Sequence, residues 1–221
     1  PSASRDDLRR EFGVEGGGPV VALLPGSRRS EIGLYLPVMA KVMRALHAQM
    51  GARFLLALAP TISEEIIRDR LGEAAKFVKV IPGRTYDVLA AADAAVVKSG
   101  TSTLEAAIIG APMVVLGAVS RLSYEIGIRL VTVKHFSLPN VIAGREVVPE
   151  LIQHDIAADR LLKEVRSLLT DRDRSERMRR DLASVFDRLI RNAPARIDDA
   201  GLDDGLGRTG LQTQRAGPAE V

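Results

Sequence analysis

Short apolar runs alternate with segments of helical period along most of this chain, and that alternation limits the fold more than any other feature. VVALL at 20–24, FLLALA at 54–59, KFVKVI at 76–81, AAVVK at 94–98 and PMVVL at 112–116 are rich in β-branched and aliphatic side chains, and turn residues flank most of them. Runs of this length without polar alternation read as strands covered on both faces, which is the pattern of a parallel sheet. Between them lie segments of a different period. In 31–50 the apolar positions are Ile32, Leu36, Met39, Met43, Leu46 and Met50, a 4-3-4-3-4 spacing that places them on one helical face. Gly51 is placed to end that helix. A helix follows Ser63, with Glu64 and Glu65 in its first turn, where carboxylates are favoured. Shorter helices are expected at 4–11, from Thr85 to Ala91, at 103–109 before Gly110, and from Ser123 to Val131. VTVKHF reads as extended or irregular.

Strand and helix in alternation specify βαβ units, so the fold class is α/β with a Rossmann-like, doubly wound parallel sheet. Two terminal helices follow, at 158–169 and 172–191. The second carries Met178, Leu182, Val185 and Leu189 on one stripe, and its arginines read as a solvated face or as a surface for an anionic membrane or partner. From Ala193 the chain has few large apolar residues and cannot offset the entropy of ordering. The expected organisation is a nucleotide-binding domain over 1–192 and a disordered tail over 193–221.

Composition narrows the function. With 31 basic residues against 28 acidic ones the net charge is only +3, and no aromatic platform accompanies the charge, so nucleic acid is not an expected partner. There is no cysteine, which removes disulfides and thiolate metal sites, and three scattered histidines give no metal spacing. No apolar run reaches membrane-spanning length, and the first residues lack the apolar core of a signal peptide. The sequence does not start with Met, which raises the expectation that it continues a longer chain.

Three segments could carry chemistry. In LLPGSRRSEI (23–32), Gly26 permits a tight turn, Ser27 offers a hydroxyl and an N–H, and Arg28 and Arg29 could grip phosphate in front of a helix N-terminus. The segment serves equally as an ordinary βα loop with surface arginines. It is neither a Walker A motif nor a dinucleotide glycine fingerprint. In KSGTSTLEAAIIGAP (98–112), Ser99, Gly100, Thr101, Ser102 and Thr103 stand at a strand's carboxyl end, where open α/β sheets bind ligands. Glu105 can accept from a ribose diol there, or complete a helix cap. In KHFSLPNVIAGREVVPELIQ (134–153), Asn140 can present its carboxamide to a base or sugar, or form a surface Asx turn. Arg145 and Glu146 form an adjacent charge pair. His135 is the one histidine in a polar motif, and a lone histidine is more often structural than catalytic.

Taken in this order and spacing, LLPGSRRSEI, SGTSTLEA and VKHFSLPNVIAGREVVPELIQ resemble the segments of lipid-A-disaccharide synthases, inverting glycosyltransferases of the GT-B architecture. The resemblance covers about residues 8–190 and corresponds to the carboxyl-terminal, nucleotide-binding half of such enzymes. It implies transfer of 2,3-diacylglucosamine from its UDP derivative to 2,3-diacylglucosamine 1-phosphate, with release of UDP, at the cytoplasmic face of the bacterial inner membrane. Neither a metal nor a cofactor is implied, the UDP-sugar being a substrate. Gly26, Ser27 and Arg28 match the turn against the diphosphate. Ser99, Gly100, Thr101 and Thr103 match the loop near the phosphates, Glu105 the ribose acid and Asn140 a nucleotide-sugar residue. Arg145 and Glu146 match a pair that shapes the site.

The catalytic carboxylate and the acceptor site are expected on an amino-terminal domain, supplied in cis or in trans. A homodimer and peripheral membrane association are also implied. The alternative is a nucleotide-sugar-binding or interaction module without turnover of its own. The sequence departs from the family pattern at Gly117 and Ala118, where Tyr-Arg is usual, at Arg121, where Pro is usual, and at Lys98, where a small residue is common.

Overall fold

Five apolar runs become strands because helices cover both faces of the sheet they form. The computed structural model describes residues 1–118 and 135–192. Within these, β1 (Val20–Leu24), β2 (Arg53–Leu58), β3 (Val78–Pro82), β4 (Ala94–Lys98), β5 (Met113–Gly117) and β6 (Glu150–Ile152) make one sheet in the order β3-β2-β1-β4-β5-β6. Every adjacent pair is parallel. At the centre, Leu23 of β1 lies level with Leu56 of β2 on one side and Val96 of β4 on the other. This is the doubly wound Rossmann order, in which the chain leaves β1 outward to β3 and then crosses back to β4.

The helices are α1 (Arg5–Glu11), α2 (Arg29–Met50), α3 (Glu64–Leu71), α4 (Thr85–Ala91), α5 (Thr101–Ile109), α6 (Leu138–Ala143), α7 (Ala158–Thr170) and α8 (Arg172–Asn192). The α2 stripe is buried as its spacing requires, from Ile32 to Leu46, with Met50 only half-buried at the end. The side chains of β1, β4 and β5 are buried except for Lys98, which projects at the carboxyl end of β4. Met178, Leu182 and Val185 bury the inner face of α8, whereas Leu189 is exposed.

Several expectations need adjusting. β3 starts at Val78, because Gly72–Phe77 coils into a 3-10 turn that stacks Phe77 on the His47 ring, centroids 4.0 Å apart. α5 starts at Thr101 because Gly100 occupies the N-cap position. β6 and α6 were not expected; they hold three and six residues, too few for a periodic signal. The α8 arginines are not uniformly solvated either. Arg179 donates to Gly110 O at 2.8 Å, and Arg174 pairs with Glu164 at 2.5 Å. The helix expected from Ser123 to Val131, most of VTVKHF, Arg121 and the segment from Ala193 lie outside the described residues.

At the amino ends of the strands, Asp93 ties β1 to β4. Its carboxylate accepts from Val20 N at 2.8 Å and from Arg9 at 2.8 Å, and also pairs with Arg5. Its own N–H donates to Val20 O at 2.7 Å. Burial pushes the Asp93 carboxyl up, but the Val20 hydrogen bond and the charges of Arg9 and Arg5 outweigh it, so the group sits below its ordinary value.

Candidate functional site

The reversal in strand order falls between β1 and β4, so the loops leaving their carboxyl ends diverge and open a crevice. Loop Pro25–Arg28 leads from β1 into α2, and Ser99–Gly100 leads from β4 into α5. A pocket of about 120 Å³ lies between them, lined by Gly26, Ser27, Glu31, Lys98, Gly100, Thr101 and Ser102, with Thr85 at the start of α4 on its rim. The two leading sequence motifs, residues 23–32 and 98–112, thus share one pocket.

Gly26 has φ 110°, and a Cβ there would overlap the Glu31 carboxylate. Both facts require glycine. Glu31, the third residue of α2, reaches back so that its Oε2 accepts from Ser27 N at 3.0 Å and Arg28 N at 3.2 Å. Its Oε1 faces Lys98 Nζ at 3.0 Å and Arg28 Nη1 at 3.4 Å. Burial raises the Glu31 carboxyl, but the Lys98 hydrogen bond, the two amides and the Lys98 charge more than compensate, leaving it below its ordinary value. Thr61 Oγ1 donates to Ser27 O at 2.6 Å and fixes the outer end of the loop. Arg28 projects outward, its side chain 77% exposed, so it can swing toward a ligand.

The second loop behaves differently. Gly100, at φ 148°, caps α5 with backbone alone, and no side chain caps the helix. Thr103 turns inward, wholly buried, and its Oγ1 donates to Gly100 O at 2.7 Å. Ser99 Oγ donates to Phe136 O at 3.1 Å, so it links to the third motif rather than facing the pocket. Glu105 is the fifth residue of α5, beyond the first turn, which rules out the capping-box reading. It is half-exposed and does not line the pocket.

The third motif is built around a residue not singled out from the sequence. Glu150, at the start of β6, accepts from Phe136 N at 2.9 Å, Ser137 N at 2.8 Å, Ser137 Oγ at 2.6 Å and Asn140 Nδ2 at 2.7 Å. Asn140 is wholly buried. Its Nδ2 also donates to Val148 O at 2.8 Å, and its Oδ1 accepts from Val147 N at 2.7 Å and Val148 N at 2.9 Å. All four hydrogen-bonding positions of the carboxamide are used inside the protein. Asn140 therefore holds the loop that carries Phe136 and Ser137 and does not present an amide to the crevice. Neither exposed alternative holds: an Asx turn at the surface would not be buried. Arg145 pairs with Asp181 of α8 at 2.7 Å, and Glu146 is exposed, so this pair stands away from the pocket.

The departures from the family pattern also find places. Tyr35 Oη accepts from Ala118 N at 2.9 Å, so a buried α2 side chain satisfies the chain as it leaves β5. Burial raises this phenol. Gly117 packs under Ile152 of β6, which fills the space a side chain would need. Lys98 is the ion partner of Glu31.

With this geometry in view, the comparisons with known proteins are decisive. A profile of the family described as Lipid-A-disaccharide synthetase matches residues 2–200. The chain belongs to that family. The lipid-A-disaccharide synthase of Syntrophus aciditrophicus is 43% identical over 190 residues, covering 85% of this chain and 50% of the relative. That of Geobacter sulfurreducens is 40% identical over 190 residues, covering 86% and 50%. The chain thus spans about half the length of the curated lipid-A-disaccharide synthases it matches. Among solved structures, WaaG, a glycosyltransferase involved in lipopolysaccharide biosynthesis, superposes with a TM-score of 0.60 at 15% identity, over 85% of this chain and 47% of WaaG. The E. coli ADP-heptose heptosyltransferase II superposes with a TM-score of 0.57 at 14% identity, over 78% and 53%. These distant likenesses concern the fold alone. Among the described residues no helix is long and apolar enough to cross a membrane.

Proposed function

We propose that this member of the lipid-A-disaccharide synthetase family forms the donor half of a glycosyltransferase. The reaction is transfer of 2,3-diacylglucosamine from UDP-2,3-diacylglucosamine to 2,3-diacylglucosamine 1-phosphate, with release of UDP. The observation that carries the reading is the convergence of the Gly26–Arg28 loop and the Lys98–Ser102 segment on one pocket at the strand-order reversal. Identity of about 40% to named synthases over 190 residues supports the choice of reaction.

In this reading the diphosphate lies at the amino ends of α2 and α5. The helix amides, Lys98 and Arg28 offset the charge that grows on UDP as the glycosidic bond to the donor breaks. Gly26, Ser27, Gly100 and Thr101 make the close approach, while Ser99 and Thr103 hold the loop from behind. Glu105 keeps its assignment to the ribose, on the solvent side of α5. Asn140 acts at one remove, by holding the loop to which Ser99 is bonded, and Arg145 and Glu146, which match the family's site-shaping pair, stand outside the pocket. The base that activates the acceptor hydroxyl and the acceptor pocket come from an amino-terminal domain in cis or in trans. The domain itself comprises residues 1–192. Work at the cytoplasmic face of the inner membrane, peripheral membrane contact and a homodimer belong to the same proposal.

Calorimetry of the 221-residue chain with UDP-N-acetylglucosamine tests the donor site, and Arg28→Ala should weaken binding about tenfold, as loss of one charge-assisted contact does. Absence of heat with the parent chain would refute the site. Gly117 and Ala118 favour one alternative, a nucleotide-sugar-binding module without turnover. Restored transferase activity on adding the amino-terminal half decides against it.

A further inference from the structure

Glu31 satisfies the donors that a phosphate would be expected to use. Its carboxylate takes two backbone amides at a helix N-terminus, the Lys98 ammonium and one edge of the Arg28 guanidinium. Phosphate groups are held in helix-terminal nests by this same combination of amides and cations. Capping alone would need only the amides. Lys98 comes from a different strand, across the pocket, and both Glu31 and Lys98 line that pocket. The carboxylate also rests where a Gly26 Cβ would be, so it is pressed into the turn itself.

We propose that Glu31 is a displaceable counter-anion, which holds the amides of Ser27 and Arg28 and the Lys98 ammonium until a diphosphate takes them over and the carboxylate turns out to solvent. This rests on the donor-site reading above and adds to it a competitor built into the chain. Glu31 is thereby a positioning residue: it keeps Lys98 and the loop in the binding arrangement and sets how strongly an anion must compete. No covalent step is involved: a diphosphate with two negative charges takes the donors that a singly charged carboxylate releases. A group of lower charge than a diphosphate would displace it less well, so the exchange favours diphosphates.

Proton linkage makes the exchange visible. Among the described residues, the charged groups facing Glu31 are Lys98 from β4 and Arg28 from the loop; Tyr35, on its own helix, is a phenol that burial raises further above its ordinary value. While Glu31 holds its donors, its carboxyl sits below the ordinary value. Displaced by a diphosphate, it loses those donors and gains a negative neighbour, so its value rises. Binding then takes up a proton, and affinity increases as pH falls through the bound-state value. UDP-N-acetylglucosamine is the suitable probe, because its diphosphate diester keeps its charge across the acid range.

The experiment is carboxyl carbon NMR of the 221-residue chain, with the Glu31 signal assigned by Glu31→Gln, titrated in acid with and without saturating UDP-N-acetylglucosamine. The Glu31 titration is expected to move upward on binding. Calorimetry should show Glu31→Gln binding both this nucleotide and inorganic pyrophosphate about tenfold more tightly than the parent. Lys98→Met should bind them more weakly. If the parent binds the nucleotide but its Glu31 titration does not move, and Glu31→Gln binds no better, the carboxylate is a plain helix cap and the exchange is overturned while the donor site stands. If neither the parent nor Glu31→Gln binds nucleotide, the donor site is refuted and the exchange falls with it. The titration is read on the parent protein, where through-bond correlation to the Glu31 backbone also gives the assignment, so a poorly folding variant does not blunt the test.

Discussion

Replacing Asn140 separates a ligand contact from a loop anchor. Asn140→Ala removes four hydrogen bonds at a wholly buried position and strips partners from Val147 N, Val148 N and Val148 O. Each unpaired buried backbone group costs about 1–3 kcal/mol, and since the loop can relax toward water the sum should be about 3–5 kcal/mol. Asn140→Asp is the sharper variant. It keeps the acceptor for Val147 and Val148 but places a second oxygen where Nδ2 now lies, 2.7 Å from Glu150 Oε1 and 2.8 Å from Val148 O. Two carboxylates at that distance share a proton, so the folded protein holds one of them well above its unfolded value. The sign follows. The penalty is full at neutral pH and shrinks as pH falls through the raised folded value, so Asn140→Asp should recover toward the parent in mild acid while Asn140→Ala should not. Urea unfolding at pH 7 and in mild acid measures both, with calorimetry on UDP-N-acetylglucosamine alongside. Unchanged stability in Asn140→Ala together with abolished nucleotide binding would refute the anchor and return Asn140 to the ligand.

Two further outcomes follow from the same contacts. Gly26→Ala should unseat Glu31, because φ 110° and the carboxylate both exclude a Cβ, at a cost of about 1–3 kcal/mol readable in thermal melts; an unchanged melt would show that the turn is not constrained as described. Asp93 has a folded value below its unfolded one, so its stabilisation is present above the unfolded carboxylate range and is lost as pH falls through the folded value. Asp93→Asn should flatten that part of the acid limb in a pH series of urea midpoints, and a limb of unaltered slope would contradict the role of Asp93 at the β1–β4 junction.

What the sequence disclosed divides along contact range. Strands β1, β2, β4 and β5 and the long helices announce themselves, because their burial is written in local periodicity. The loops at 25–28 and 99–103 are legible as turns from a strand into a helix, although glycine and hydroxyl residues there suit an ordinary βα loop or a cap as well as a ligand. Their meeting follows from topology alone, as the doubly wound order puts β1 beside β4. Tertiary partners are another matter. Glu31 carries a local signal, standing three residues after the N-cap Arg28, but nothing near it in sequence foretells Lys98, 67 residues away. Glu150 carries no signal at all: it opens a three-residue strand and works through residues 10 to 14 positions earlier.

Asn140 shows why polar residues in a recognisable motif are the hardest to assign. A carboxamide is equally suited to a base edge and to pairs of backbone amides, and residue type does not choose between them. Burial does. Once Val147 and Val148 are withdrawn from water, their N–H groups need an acceptor, and Asn140 Oδ1 supplies it at 2.7 and 2.9 Å. The same accounting points the other way at Arg28, whose guanidinium has one long contact at 3.4 Å and a side chain 77% exposed. A group with donors to spare beside the pocket between β1 and β4 is the one free to follow a ligand. Site assignment in this fold therefore turns on unspent hydrogen-bonding capacity: Arg28 keeps donors free, Lys98 and the loop amides are spent on the Glu31 carboxylate at the pocket, and Asn140 holds none in reserve.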